Sequence, residues 1–166
     1  MISLILASTN TGGIGNRGTL PWPKHRQDLA WFKQHTENQI VVMGRNTWED
    51  PLMPKPLPNR INYIVSSTHV AQKFQHQVRW IPTNPVENIQ HIQKENIDKQ
   101  IFVIGGKQLY EACEPIAARI YLTRMKGNWW TDTRINLERM LACFQIKSVT
   151  PGENCTYEIW DRVLYI

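Results

Sequence analysis

Three groups of residues in this 166-residue chain have types and spacing that could do chemistry. The first is Asp28, which opens the run Asp28-Leu-Ala-Trp-Phe32 after a glycine- and proline-punctuated stretch, Ile14-Gly-Asn-Arg-Gly-Thr-Leu-Pro-Trp-Pro. Helical spacing sets this carboxylate on one face with Leu29, Phe32 and Thr36, all three expected to point inward. Taken alone, Asp28 reads as a solvated acid that complements a helix N-terminus. Its other reading is a lone carboxylate on the apolar wall of a pocket, with its pKa raised by burial, available to an amidine-like ligand. The second group is Gly44-Arg45-Asn46-Thr47, where backbone N–H groups and a helix start beside a cation suit a phosphate. Ser66-Ser67 at a strand end adds hydroxyls for a second phosphate or a ribose. The third is Gly105-Gly106, between a buried strand and a helix, where bare backbone permits close approach of a ligand. Lys107, Gln108 and Leu109 follow it, so the Gly-x-Gly-x-x-Gly dinucleotide fingerprint is absent.

The elements that must position these groups are readable in order. Ile2 to Ala7 is continuously apolar and predicts a strand covered on both faces. Gly13, Gly15 and Gly18 then make a mobile lid, and Pro21 and Pro23 stiffen a hinge around Trp22. A helix is expected from Gln27, a second buried strand over 39–44, and a rigid loop over 50–60 that holds four prolines and ends on Arg60. Ile61 to Val65 predicts a third strand and Val78 to Ile81 a short fourth. Val86, Ile89, Ile92 and Ile97 fall near helical spacing on an amphipathic helix. Ile101 to Tyr110 gives strand, glycine pair and helix, and Ile120 to Thr123 another strand. Strands alternating with helices call for a mostly parallel central sheet with helices on both faces, whose ligands bind beyond the carboxyl ends of the strands. Phe144–Val149 and Tyr157–Ile166 flank Pro151-Gly152-Glu153-Asn154, which predicts an antiparallel C-terminal hairpin.

Composition narrows the class. The length suits one domain over residues 1–166. A 42% hydrophobic content excludes a disordered chain, and a net charge of +5, from 19 Lys+Arg against 14 Asp+Glu, favours anionic partners. Cys113, Cys143 and Cys155 lack any Cys-x-x-Cys spacing, and the five histidines show no ligand spacing, so neither a disulfide framework nor a metal is expected. The opening Met-Ile-Ser-Leu-Ile-Leu-Ala has no basic segment before it and is too short for a signal peptide. A cytoplasmic protein with no membrane partner is expected.

In order and spacing, a set of motifs resembles the dihydrofolate reductase family. They are Met-Ile-Ser-Leu-Ile, Leu20-Pro21-Trp22, Asp28-Leu-Ala-Trp-Phe-Lys33, Thr36, Val42-Met-Gly-Arg45, Thr47-Trp48, Leu57-Pro58, Arg60, Ser66-Ser67, Ile104-Gly105-Gly106, Tyr110, Thr123 and Asp132-Thr133. The resemblance spans almost the whole chain. It implies a sheet of about eight strands flanked by helices. It also implies hydride transfer from NADPH to 7,8-dihydrofolate, giving the tetrahydrofolate that one-carbon metabolism consumes. Asp28 then falls on the pterin-binding carboxylate and Thr123 on the hydroxyl supporting it, with Leu20 and Trp22 completing the catalytic set. Ile5, Ala7, Leu29, Phe32, Leu57 and Ile104 match substrate walls, and Arg60 matches the partner of the glutamate α-carboxylate. The cofactor side is implied to comprise Ala7, the lid residues Gly13, Ile14, Gly15, Asn16, Gly18, Thr19 and Leu20, and Gly44, Arg45, Asn46 and Thr47. It continues through Val65, Ser66 and Ser67 to Gly105, Gly106, Lys107, Gln108, Leu109 and Tyr110. The resemblance also implies a cis peptide at Gly105-Gly106, a position expected to tolerate no side chain. No nucleic acid is required, and a monomer is expected.

Departures from the family pattern bear on the cofactor. Gln108 and Pro82 stand where many relatives carry basic groups near the adenosine 2′-phosphate, leaving Arg45 and Ser67 to recognise it. Lys107 replaces a third glycine, and Thr131 replaces a glycine in the loop that contacts the lid. Two other readings fit part of the chain. A basic nucleic-acid-binding module could use the seven tryptophans to stack bases, but buried strands and paired glycines would go unexplained. Trp22, Trp31, Trp48 and Trp80 adjoin apolar segments, which favours core packing. A riboflavin-pathway pyrimidine reductase of the same fold suits Asp28, Thr123 and Arg60 less well than a pterin with a glutamate tail.

Overall fold

A computed structural model describes residues 1–68 and 76–164. The eight-residue strand β1 (Ile2–Thr9) is buried nearly throughout and runs through the middle of the molecule. Around it an eight-stranded sheet forms from β3 (Ile40–Gly44), β4 (Ile61–Val65), β5 (Arg79–Ile81), β6 (Ile101–Val103), β7 (Arg119–Met125), β9 (Phe144–Gly152) and β10 (Cys155–Arg162). Their spatial order is β5-β4-β3-β6-β1-β7-β10-β9. All neighbours pair in parallel except β10, which is antiparallel to both β7 and β9. The mostly parallel sheet and its antiparallel end therefore stand as the alternating pattern requires.

Period-two alternation along the strands sends side chains to two cores. Leu4, Leu6, Val42, Val103, Ile120 and Leu122 face one way, covered by α3 (Pro85–Glu95), α4 (Lys107–Cys113) and α5 (Leu137–Leu141). Ile5, Val41, Met43, Phe102 and Tyr121 face the other, covered by α1 (Arg26–Thr36) and α2 (Arg45–Trp48), which contribute Trp31, Phe32 and Trp48. Trp22 and Trp48 are buried, and Trp31 and Trp80 pack against the cores, whereas Trp130 is 90% exposed in the loop after β7.

Four expectations need correction, and one element lies outside all of them. The stretch after β1 is not simply a loop: β2 (Gly13–Gly15) pairs with β8 (Thr133–Arg134) in a second, two-stranded sheet. Such short strands, stabilised by a partner more than a hundred residues away, leave no periodic signal. Helix α3 ends at Glu95, and Ile97 is 91% exposed, because Asn96 leaves helical geometry and accepts the chain exit. The short helix α5 went unforeseen. Leu29 does not point inward but is 45% exposed, although on the helix wheel it lies only about 20° from the fully buried Thr36, so angular position alone does not decide which residues are covered. Of the expected last strand, Val163 and Leu164 fall beyond β10, and residues 165–166 lie outside the described part of the chain.

Candidate active site

The site begins at the first turn of α1. His25 caps the helix, its ring Nδ1 accepting the Asp28 backbone N–H at 3.0 Å. The Asp28 carboxyl turns inward to the sheet, where Oδ1 accepts from Thr123 Oγ1 at 2.8 Å. Thr123 lies on β7 directly beside Ala7 of β1, so the carboxyl sits over the middle of the sheet. Burial pushes the Asp28 pKa above its ordinary 3.8, an effect that outweighs the Thr123 hydrogen bond and the nearby His25. The carboxyl is therefore partly buried against the sheet rather than freely solvated. Trp22 packs below with Tyr157, Met125 and Cys155, and its indole N–H has no acceptor within the described protein.

Two turns along α1, Thr36 is fully buried, its hydroxyl donating to Phe32 O at 2.8 Å and accepting from Arg60 Nη1 at 3.0 Å. Arg60 Nε donates to Pro58 O at 2.9 Å, and the guanidinium lies 5.8 Å from the centre of the Phe32 ring. The cation is thus oriented by three fixed groups, and among the described residues Nη2 is left over. Partial burial pulls its pKa down from the ordinary guanidinium value. The loop that delivers it is clamped by Asn62, buried in β4, which accepts from Leu57 N and donates to Leu57 O and Arg60 O at 3.0 Å each. Asn62 is a site-shaping residue the sequence reading missed. The signal was a polar residue between Ile61 and Tyr63 on a strand otherwise apolar.

On the other side of β1 the strand ends meet through backbone. Gly44 N donates to Gly105 O at 2.7 Å, and Ile104 N to Val42 O at 2.9 Å. The Gly105–Gly106 peptide is cis, and Gly105 has a φ of +129°. A Cβ at Gly105 would stand 3.1 Å from Thr47 Oγ1 and 3.3 Å from the Tyr110 hydroxyl. Gly106 is different, because a Cβ there would meet Thr47 Oγ1 at an ordinary 3.8 Å. Intolerance of a side chain is thus explained at Gly105 alone. Tyr110 donates to Ile5 O at 2.8 Å, linking α4 to the strand under the site, and burial pushes its pKa far up. Leu109 is buried in the core, so only its backbone is available to a ligand. Arg45 Nε pairs with Glu49 at 2.8 Å, Lys107 lies 4.0 Å from Glu111, and Ser67 and Gln108 are exposed. Ser66 N holds Ile81 O, and its hydroxyl meets Thr68. This rim of bare backbone flanked by cations fits a nucleotide diphosphate.

The lid is a ribbon closed by a tight turn: Asn16 and Thr19 exchange backbone hydrogen bonds, and Arg17 and Gly18 both take positive φ, at 53° and 79°. Asp132 holds it twice, its N–H on Gly15 O at 2.9 Å and its carboxylate on Arg17 N at 2.7 Å. Gly13 passes so close to Thr131 that a Cβ would stand 2.4 Å from the threonine methyl. Leu20, 45% exposed, ends the lid, while the Thr19 hydroxyl is buried without a partner among the described residues. Among the described residues no group of His, Cys, Asp and Glu could hold a metal ion, and no helix is long and apolar enough to cross a membrane.

A doubly covered sheet with an inward carboxylate on one side and a glycine rim on the other defines an α/β oxidoreductase that holds a flat substrate against a dinucleotide. The sequence profile of dihydrofolate reductase matches residues 1–156. The chain is 34% identical over 165 residues to dihydrofolate reductase type 9 from Escherichia coli, covering 96% of this chain and 92% of the relative. It is 36% identical over 132 residues to the dihydrofolate reductase of Buchnera aphidicola from Schizaphis graminum, covering 80% and 76%. Dihydrofolate reductase from Enterococcus faecalis, solved with NADP(H) and RAB-propyl, superposes with a TM-score of 0.81 at 27% identity, covering 98% of this chain and 96% of that one. The chain belongs to the dihydrofolate reductase family. Its activity is that of the family, the NADPH-dependent reduction of 7,8-dihydrofolate to 5,6,7,8-tetrahydrofolate.

Proposed function

We propose that Asp28 grips the pterin of dihydrofolate and that α1 measures the substrate from ring to tail. The observation that carries this reading is the inward Asp28 carboxyl, 2.8 Å from Thr123 and raised in pKa by burial. A pterin edge offers two donors in a row, which one carboxylate accepts in bidentate fashion. Asp28 and Thr36 are eight residues apart, so Arg60, held at Thr36, stands roughly 12 Å further along the helix. A flat ring system and a benzoyl group in line span such a distance and bring a glutamate carboxylate to the unused Arg60 Nη2. Ile5, Ala7, Phe32, Leu57 and Ile104 flank that path, with Leu29 at its open rim.

NADPH, when bound, supplies the hydride. The residues suited to hold it are Gly44 to Thr47, Val65 to Ser67 and Gly105 to Tyr110 along the strand ends, with Ala7 beneath and the lid from Gly13 to Leu20 above. Reduction at C6 leaves the adjacent N5 in need of a proton. Asp28 does not have to reach N5: by holding the pterin through a carboxyl with a raised pKa, it favours the protonated substrate, and water can deliver the proton. The lid, latched by Asp132, excludes bulk water and keeps donor and acceptor together. Trp22 leaves its N–H available to the substrate or to a bound water beside Asp28. We place the enzyme as a single-domain monomer in the cytoplasm, working without nucleic acid. Three unbridged cysteines accord with a reducing compartment.

The deciding experiment mixes purified protein with NADPH and dihydrofolate and follows loss of reduced-nicotinamide absorbance, with NADH in parallel. Turnover is expected with NADPH, with a weaker preference over NADH than Arg-rich relatives show. Absence of turnover with either cofactor would overturn the assignment.

A further inference from the structure

We infer that His25 is a positioning residue for Asp28, tying the catalytic carboxylate to the β9–β10 turn through both nitrogens of its ring. This rests on the assignment of Asp28 to the pterin.

Asp28 is the third residue of α1, in the turn where helix N–H groups lack intrahelical partners and fray first. Here that N–H is taken by His25 Nδ1 at 3.0 Å. An imidazole nitrogen that accepts carries no proton, so the ring proton sits on Nε2, which lies 2.6 Å from Glu153 O. An ordinary N-cap, Ser or Asp, satisfies the helix and stops there. This one passes through the ring to a second element.

That element is also held from the next residue but one. Gln27 Oε1 accepts from Glu153 N at 2.8 Å and from the Tyr157 hydroxyl at 3.2 Å. Both backbone polar groups of Glu153 are therefore bound at the N-terminus of α1, the carbonyl by its cap and the N–H by its first turn. Tyr157 stands opposite Thr123 in the β7–β10 register, and Thr123 holds the Asp28 carboxyl. The contacts close a circuit: Asp28 carboxyl to Thr123, across to Tyr157, to Gln27, to Glu153, to His25, and back to the Asp28 N–H. Backbone and side chain of one residue are thereby fixed to two different strands and a turn. Nothing in the reaction requires His25 to touch the substrate. Its effect is to keep the carboxyl from swinging with a frayed helix end.

The test uses His25→Leu, which removes both contacts, and His25→Asn, whose amide oxygen can cap the helix but is too short to reach Glu153. Measured for each are melting temperature, NADPH affinity, kcat and KM for dihydrofolate, and the pH profile of kcat/KM. His25→Leu is expected to lower kcat/KM for dihydrofolate roughly tenfold while NADPH affinity stays within about twofold. His25→Asn is expected to recover the melting temperature but only part of kcat/KM, with the alkaline limb of the pH profile displaced in both variants. If Asn restores kcat/KM and the pH profile together with the melting temperature, His25 is a helix cap and no more, and the inference is overturned. Parental kinetics in both variants overturn it too. Failure of the parent enzyme to reduce dihydrofolate would instead strike the assignment on which the inference stands.

Discussion

Asp28 and Gly105 face each other across β1, and they are held in place by different means. Along the substrate side the fixing groups are side chains: a threonine hydroxyl and an imidazole at Asp28, and two turns further on a guanidinium docked on a second threonine. Around Gly105 they are peptides, Gly44 N on Gly105 O and Ile104 N on Val42 O, with the charged side chains out at the surface. A buried carboxylate needs specific donors because desolvation is costly, whereas an anionic diphosphate can be met by any N–H that the chain presents. Single substitutions should therefore change chemistry at the Asp28 end of the substrate side, and on the cofactor side chiefly change affinity.

The largest expected effect is at Asp28. Asp28→Asn keeps the shape and the Thr123 contact but removes the charge. At pH 7 it should lower kcat/KM for dihydrofolate by about 10²–10⁴, with NADPH affinity unchanged. The proton must then come from solution, so the residual rate should rise about tenfold for each unit the pH falls. Stability should move the other way. The folded pKa of Asp28 lies above its ordinary 3.8, so the folded state binds the proton more tightly than the unfolded chain. Native stability is therefore lost as pH rises from the ordinary value through the folded one, and the ionised group is a liability above that window. Asp28→Asn should melt at a higher temperature than the parent at pH 7, and the difference should vanish below the ordinary carboxylate range. A variant with near-parental turnover would remove the contrast at its root.

A smaller effect is expected at Arg60, where geometry rather than charge is at stake. Arg60→Lys keeps the cation but loses the fork that binds Thr36 and Pro58 together. KM for dihydrofolate should rise roughly tenfold with kcat little changed, because the tail is bound equally in ground and transition states. An unchanged KM would mean that the tail does not reach this guanidinium.

The same contrast explains what was legible in the sequence. The strands that carry the rim are largely apolar runs, and Ile61 to Val65 matches β4 to the residue because the proline-rich loop ending on Arg60 and the Ser66-Ser67 turn bound it. The glycine pair announced itself because only bare backbone suits a positive φ beside Thr47 and Tyr110. Asp28 stood out as an acid on an apolar face, yet its partners did not. Thr123 and Arg60 entered only by family resemblance, since nothing in Ile120 to Thr123 says which hydroxyl an acid 95 residues away will meet. The lid's pairing with 133–134 and the reach of His25 to Glu153 were hidden for the same reason. Short-range patterns encode elements, and long-range side-chain bonds leave no periodic trace.

The smallest effect sharpens the comparison most. Arg45 is the cation the sequence leaves for the adenosine phosphate, but it is more than half exposed and already paired with Glu49, itself 54% exposed. Charges so placed are screened within about 8 Å at physiological salt. Arg45→Gln should therefore raise KM for NADPH only a few-fold at low ionic strength, in line with the small worth of exposed pairs. The NADPH-over-NADH preference should shrink by the same factor, and the deficit should close as salt is raised, with kcat and KM for dihydrofolate untouched. A loss of a hundredfold or more that persists in high salt would place a desolvated ion pair at this rim. The backbone would then no longer be what chiefly holds the cofactor, and the two sides of β1 would be built alike.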